Sequence, residues 1–144
     1  MSNIKLRKSY PNDSDFAYNV KKAVFKKYLD LSTGWNEIEQ QQLHSRRFES
    51  QDFRVIEYMR KDVGILAIDK KTDYLKLNQL YILPEYQNKG IGSECMLQIM
   101  AEANGLPIKL QVLKSNPKAI RFYKKLGFVN KGGTETHELM QRNS

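Results

Sequence analysis

The chain has one cysteine, two histidines, one tryptophan and four prolines in 144 residues. A single thiol, Cys95, excludes an intramolecular disulfide framework and a multi-cysteine zinc site. His44 and His137 are too few for an all-histidine metal centre, and no metal is expected. No apolar run approaches the roughly 20 residues needed to span a bilayer. Lys5, Arg7 and Lys8 break up any signal-peptide core between Met1 and Tyr10, so the expectation is a cytoplasmic protein with no membrane partner.

Acidic residues are also missing over one long stretch, from Glu102 to Glu135, which holds Lys109, Lys114, Lys118, Arg121, Lys124, Lys125 and Lys131. The whole chain has 24 Lys and Arg against 16 Asp and Glu, so outside this stretch the charge is nearly balanced. A compact basic region calls for an anionic partner, either nucleic acid or a phosphorylated small molecule, unless it is only a solvated helix face.

What is present is a steady recurrence of apolar residues, 40% of the chain, enough for one packed domain spanning residues 1–144. Ile4 to Lys8 alternates as an edge strand. Phe16, Val20, Ala23, Val24, Tyr28 and Leu31 follow at helical spacing after the turn residues Pro11 to Asp15. Trp35 to Phe48 reads as a second helix with Trp35, Ile38, Leu43 and Phe48 inward. Phe53–Met59 and Val63–Ile68 read as a hairpin across Arg60-Lys61-Asp62.

Tyr74 to Leu83 forms the next strand, and its pattern changes parity: Leu75 and Leu77 fall on one phase, Leu80 and Ile82 on the other. A β-bulge near Asn78 and Gln79 would return all four to one face; a strand buried on both faces is the alternative. A helix from Gly90 to Asn104, a strand at Ile108–Val112, a helix opened by Asn116-Pro117 and stopped by Gly127, and two closing strands around Lys131-Gly132-Gly133 complete the chain. The expected fold is α/β with a mixed, largely antiparallel sheet.

Gln87-Asn88-Lys89-Gly90-Ile91-Gly92 stands between the irregular strand and a helix N-terminus. First-turn amides have no internal acceptor, and glycine lets an anion approach them, so the segment reads as a pyrophosphate cradle with Lys89 as an added cation. An ordinary tight turn is the bland alternative. The Gly-Lys-Ser/Thr ending of a nucleotide P-loop is absent, and Cys95 occupies the third glycine position of a dinucleotide fingerprint.

The second motif is Asn116-Pro117-Lys118-Ala119-Ile120-Arg121-Phe122-Tyr123-Lys124-Lys125-Leu126-Gly127-Phe128. Together the two segments resemble the GNAT superfamily of acetyl-CoA-dependent N-acetyltransferases. They match its Gln/Arg-x-x-Gly-x-Gly/Ala loop and its Asn-Pro-x-Ala-x-x-Phe-Tyr-x-x-Leu-Gly-Phe pattern, in order and one strand apart. The resemblance implies a GNAT-type sheet with a bulged, splayed strand and about four helices, and acetyl-CoA as cosubstrate.

Carried over, it implies that backbone groups of Leu80, Tyr81 and Ile82 bind the pantetheine arm. Amides of Gln87, Asn88, Lys89, Gly90, Ile91, Gly92 and Ser93 would hold the pyrophosphate. Asn116 would meet the pantetheine or an ordered water, and Tyr123 would protonate the departing sulfur. Lys118, Lys124 and Lys125 become candidates for the adenosine 3′-phosphate. Without the motif, Tyr123 is a packed aromatic on an apolar helix stripe.

A general base is missing from the expected place, because Asn78 and Gln79 cannot take a proton at neutral pH. Glu57, His137, His44 or water remain open. The acceptor would be a primary amine on a small molecule, a peptide N-terminus or a lysine, contacted from Leu31–Phe48, where Trp35 could stack and Arg46 or Arg47 could hold a carboxylate or phosphate. A catalytically silent acyl-CoA-binding domain competes with the enzyme reading. A nucleic-acid module is disfavoured, since interleaved aromatics and groove-reading motifs are absent. A homodimer stays open.

Overall fold

The computed structural model describes residues 3–143. In chain order the elements are β1 (Ile4–Lys8), α1 (Ser14–Asp30), α2 (Glu37–Ser50), β2 (Asp52–Tyr58), β3 (Lys61–Lys70), β4 (Leu75–Ile82), α3 (Ile91–Ala103), β5 (Ile108–Leu113), α4 (Pro117–Lys125), β6 (Val129–Gly133) and β7 (His137–Arg142). Short 3₁₀ turns stand at Pro11–Asp13 and Pro84–Tyr86. The strands form one sheet in the order β1-β2-β3-β4-β5-β7-β6, and only the β4–β5 pairing is parallel. This is the mixed, largely antiparallel α/β fold with four helices that the sequence leads one to expect.

Helices cover both sheet faces. β3 is buried without a break from Val63 to Ile68, as a central strand packed on two sides must be. One core cluster joins Ile56, Leu66, Ile68, Leu75 and Leu77 to Cys95, Met96 and Ile99 of α3 and Tyr123 of α4. The other joins Ala17 and Val20 of α1 to Phe53, Ile65 and Ala67. Each large apolar side chain among them contributes about 1.5–3 kcal/mol by leaving water.

The parity change in β4 is a bulge. Its register with β3 runs Ile65↔Tyr81, Leu66↔Leu80 and Ala67↔Gln79, then steps to Ile68↔Leu77, leaving Asn78 as the extra residue. Leu75, Leu77, Leu80 and Ile82 accordingly share the α3/α4 side, while Tyr81 and Leu83 pack on the α1/α2 side. The alternative of a strand buried on both faces describes β3, while β4 alternates buried with half-buried residues up to Gln79 and is half-buried beyond it.

Two local readings need correction. The β2–β3 turn is the pair Met59-Arg60, both at positive φ (50° and 68°), with Tyr58 opposite Lys61, and not Arg60-Lys61-Asp62. On α2, Ile38 points outward at 67% exposure, and the buried residue is His44. Asn36 caps the helix, its Oδ1 accepting from Glu39 N–H (3.0 Å), and that start sets the phase that turns Ile38 away. Trp35, ahead of the helix, donates its indole N–H to Glu37 Oε2 (2.5 Å).

Candidate active site

β4 and β5 pair only at Leu75↔Ile108, Lys76↔Lys109 and Leu77↔Leu110. The bulge follows at once. Beyond it β4 stays with β3 as far as Ile82, and β5 stays with β7 as far as Leu113, so the sheet forks. Leu83 N–H donates to Val63 O (2.9 Å). Backbone groups alternate in direction along a strand, so Tyr81 turns its own toward β3, and Leu80 and Ile82 turn theirs toward the fork. Of the three residues expected to line it, two present their backbone there, and Tyr81 contributes a side chain on the α1/α2 side.

Past Ile82 the chain passes through the Pro84–Tyr86 turn into the glycine segment. Gln87 fastens it, its Nε2 donating to Ile82 O (2.9 Å) and its own N–H to Pro84 O (3.2 Å). Asn88 and Gly90 then take left-handed backbone, φ 62° and 79°, an alternation that turns successive N–H groups to one side as an anion-binding nest. No side chain caps α3. Among the described residues, none of the six N–H groups from Asn88 to Ser93 has an acceptor. A Cβ built on Gly90 would meet nothing within 4 Å, so the approach to these amides is open. The arrangement fits a bound pyrophosphate, with Gln87 serving as the loop's fastening.

The opposite wall is the start of α4. Asn116 caps it, Oδ1 accepting from Ala119 N–H (3.1 Å), and Ser115 Oγ donates to Tyr28 O (2.8 Å), tying this approach to α1. Tyr123 is 8% exposed, its ring edge-on to Phe122 and Phe128 at 5.1 and 5.5 Å. Its hydroxyl has no hydrogen-bond partner among the described residues. Burial holds its pKa well above the ordinary phenol value, so it stays protonated and can act as an acid. Tyr81 is raised likewise, by burial first and then by the nearby Tyr123 phenol. Lys118, Lys124 and Lys125 lie exposed on α4.

Sequence periodicity found Val20 and Phe48 in the α1/α2 wall and missed its polar members. On α2 the inward stripe is Gln40, His44, Arg47 and Phe48, and opposite it α1 buries Lys21 at 2% exposure. Lys21 Nζ donates to Gln40 Oε1 (2.9 Å). Its pKa is pushed down to about 8 by burial and then by the Arg47 charge. The same kind of burial lowers Arg47, which the Tyr81 phenol partly offsets. Gln79, beside the bulge, is 4% exposed, and neither of its side-chain polar atoms has a partner. A buried polar stripe on an otherwise ordinary surface helix is the signal that a hydrophobic pattern cannot register.

Each of the three candidate bases has a neighbour in the fold, though His44 Nδ1 is buried with no partner among the described residues. Glu57 Oε2 faces Arg7 Nε at 3.4 Å. His44 Nε2 lies 3.0 Å from Ser14 O, which only accepts, so Nε2 carries the proton, and burial lowers its pKa. His137 Nδ1 lies 2.8 Å from Thr136 Oγ1, beside Leu113 at the far side of β5. Asn78 donates to Asp69 Oδ2 (3.0 Å). Among the described residues no group of His, Cys, Asp or Glu is arranged to hold a metal ion.

Residues 49–130, more than half of the chain, match the family model described as an acetyltransferase (GNAT) domain. The fold is similar to that of an acetyltransferase from Thermus thermophilus, with TM-score 0.81 at 18% identity, over 100% of this chain and 98% of that one. It is similar also to the PaiA N-acetyltransferase from Thermoplasma acidophilum in complex with coenzyme A, with TM-score 0.78 and 22% identity over 100% of both chains. Mutant forms of the spermidine/spermine N-acetyltransferase SpeG from Vibrio cholerae align with TM-score 0.72 at 19% identity, over 98% of this chain and 94% of that one.

Proposed function

This chain belongs to the GNAT acetyltransferases, and from that premise we propose that residues 1–144 form one N-acetyltransferase domain moving an acetyl group from acetyl-CoA to a primary amine by direct attack in a ternary complex. The observation that carries the reading is the run of six unpaired amides from Asn88 to Ser93 beside a fork in the sheet. A similar fold holding coenzyme A supports it. A lone buried thiol is in keeping with a cytoplasmic setting.

When bound, acetyl-CoA supplies a thioester carbonyl open to attack and a thiol leaving group. Leu80 and Ile82 offer backbone groups to the pantetheine arm as a neighbouring strand would. The Asn88–Ser93 amides and Lys89 take the pyrophosphate, and Lys118, Lys124 or Lys125 the 3′-phosphate. The Asn116 amide nitrogen is left for the pantetheine or a water. A backbone N–H on β4 stabilises negative charge developing on the carbonyl oxygen.

Tyr123 then gives its phenolic proton to the sulfur. Burial raises thiol basicity as well, as Cys95 shows by being pushed up to about 12, so the phenol need not be a strong acid. Neither Asn78 nor Gln79 accepts a proton, so the amine enters as the free base and loses its proton to water.

Thiol release from acetyl-CoA over a broad amine panel tests this, with Tyr123→Phe beside the parent. The variant should lose about 10²–10⁴-fold in kcat while acetyl-CoA binding is largely kept. The neutral Gln79 at the bulge favours a second reading, a silent acyl-CoA-binding domain. That reading prevails if no amine raises release above background hydrolysis.

A further inference from the structure

Lys21 and Arg47 face one another from α1 and α2 closely enough for Lys21 to feel the Arg47 charge, yet neither has a carboxylate partner among the described residues. Lys21 hydrogen-bonds only the neutral Gln40 and lies 5.9 Å from the centre of the Phe25 ring; among the described residues the half-buried Arg47 guanidinium has no hydrogen bond or ion pair. Behind them, on the same sheet face as Tyr81, the Gln79 amide is buried with both polar atoms unpaired. Leaving such groups unsatisfied is costly, and a buried ammonium beside a half-buried guanidinium with no anion between them is more so. Tyr81 connects the cluster to the proposed chemistry: its side chain lies on the same face as Gln79, and its neighbours Leu80 and Ile82 turn their backbone toward the fork. A polycationic acceptor would be repelled here. A negatively charged group completes the site.

Resting on the acetyltransferase reading, we propose that the acceptor is an amine that also bears a carboxylate, taken by the Arg47 fork with Lys21 and Gln79 behind it. A planar guanidinium matches a carboxylate with two parallel hydrogen bonds, and the entrance lies at Arg47, the most accessible of the three. Arg46, its exposed neighbour, lies outside the cluster.

The test compares kcat/KM for the common α-amino acids with that for their carboxamides, with O-phosphoethanolamine and spermidine as further arms. Carboxylates should exceed carboxamides by about 10–100-fold, the range expected for charge-assisted hydrogen bonds. Arg47→Gln should bring that ratio close to one, chiefly through KM, whereas Arg46→Gln should keep it. Faster turnover of spermidine or of the phosphate amine than of any carboxylate overturns the proposal. So does a preference that survives in Arg47→Gln.

Should no amine be turned over, N-acetyl amino acids titrated into the CoA-loaded protein still decide the matter. Arg47-dependent binding upholds the carboxylate site while the catalytic reading falls, and no binding overturns the site itself.

Discussion

Lys21 keeps its ammonium inside the fold at 2% exposure with a neutral amide as its only hydrogen-bond partner. Its folded pKa, about 8, lies below the ordinary lysine value of 10.5, so between those two pH values the unfolded chain binds more protons and stability rises with pH. The difference corresponds to about 3 kcal/mol. Lys21→Met should therefore be more stable than the parent by about 1–3 kcal/mol at pH 7, with the gap closing as the pH climbs past the ordinary lysine range, as urea denaturation at neutral and alkaline pH will show. A gap that is absent, or that widens with pH, contradicts the buried charge. Tyr123 was legible from sequence because a thirteen-residue pattern surrounds it. Lys21 was not, and Arg47 and His44 were named as candidates without their inward placement, because periodicity scores lysine and arginine as outward and Ile38 as inward, and here a polar cluster reverses the assignment.

At the scale of elements, the β4 bulge was legible because an alternating pattern cannot change phase within a strand without adding a residue, and Leu77 to Leu80 changes phase. A bulge bends its strand away from a neighbour, but the place of the fork was not legible, because nothing in the residues of β5 says where its pairing with β4 stops. The Met59-Arg60 turn escaped because its positive-φ positions carry neither glycine nor asparagine, the residues by which such turns are recognised. Gly64 was also passed over inside an apolar strand. A Cβ there would overlap the Tyr81 carbonyl oxygen, a backbone atom that can yield only if β3 and β4 separate at the edge of the fork. Gly64→Ala should cost about 1–3 kcal/mol in a denaturant titration and weaken acetyl-CoA binding. A variant within about 0.5 kcal/mol of the parent would mean that the close approach is not required.

Across the whole molecule, the two halves of the sheet divide the work. β1 to β4 form an unbroken antiparallel unit under α1 and α2, β5 to β7 close the far side, and the two halves share only three residue pairs before parting. The seven basic residues between Glu102 and Glu135 belong to the second half, on β5, β6, α4 and the loops beside them, so the chain's excess positive charge is concentrated there. Backbone amide resonances followed by NMR as coenzyme A is added test this division most directly. The largest shifts should fall on Asn88 to Ser93, with Leu80 and Ile82 of β4 moving at the same concentrations. Resonances from Asn88 to Ser93 left unmoved at millimolar coenzyme A, or shifts confined to the exposed lysines of α4, would contradict the account.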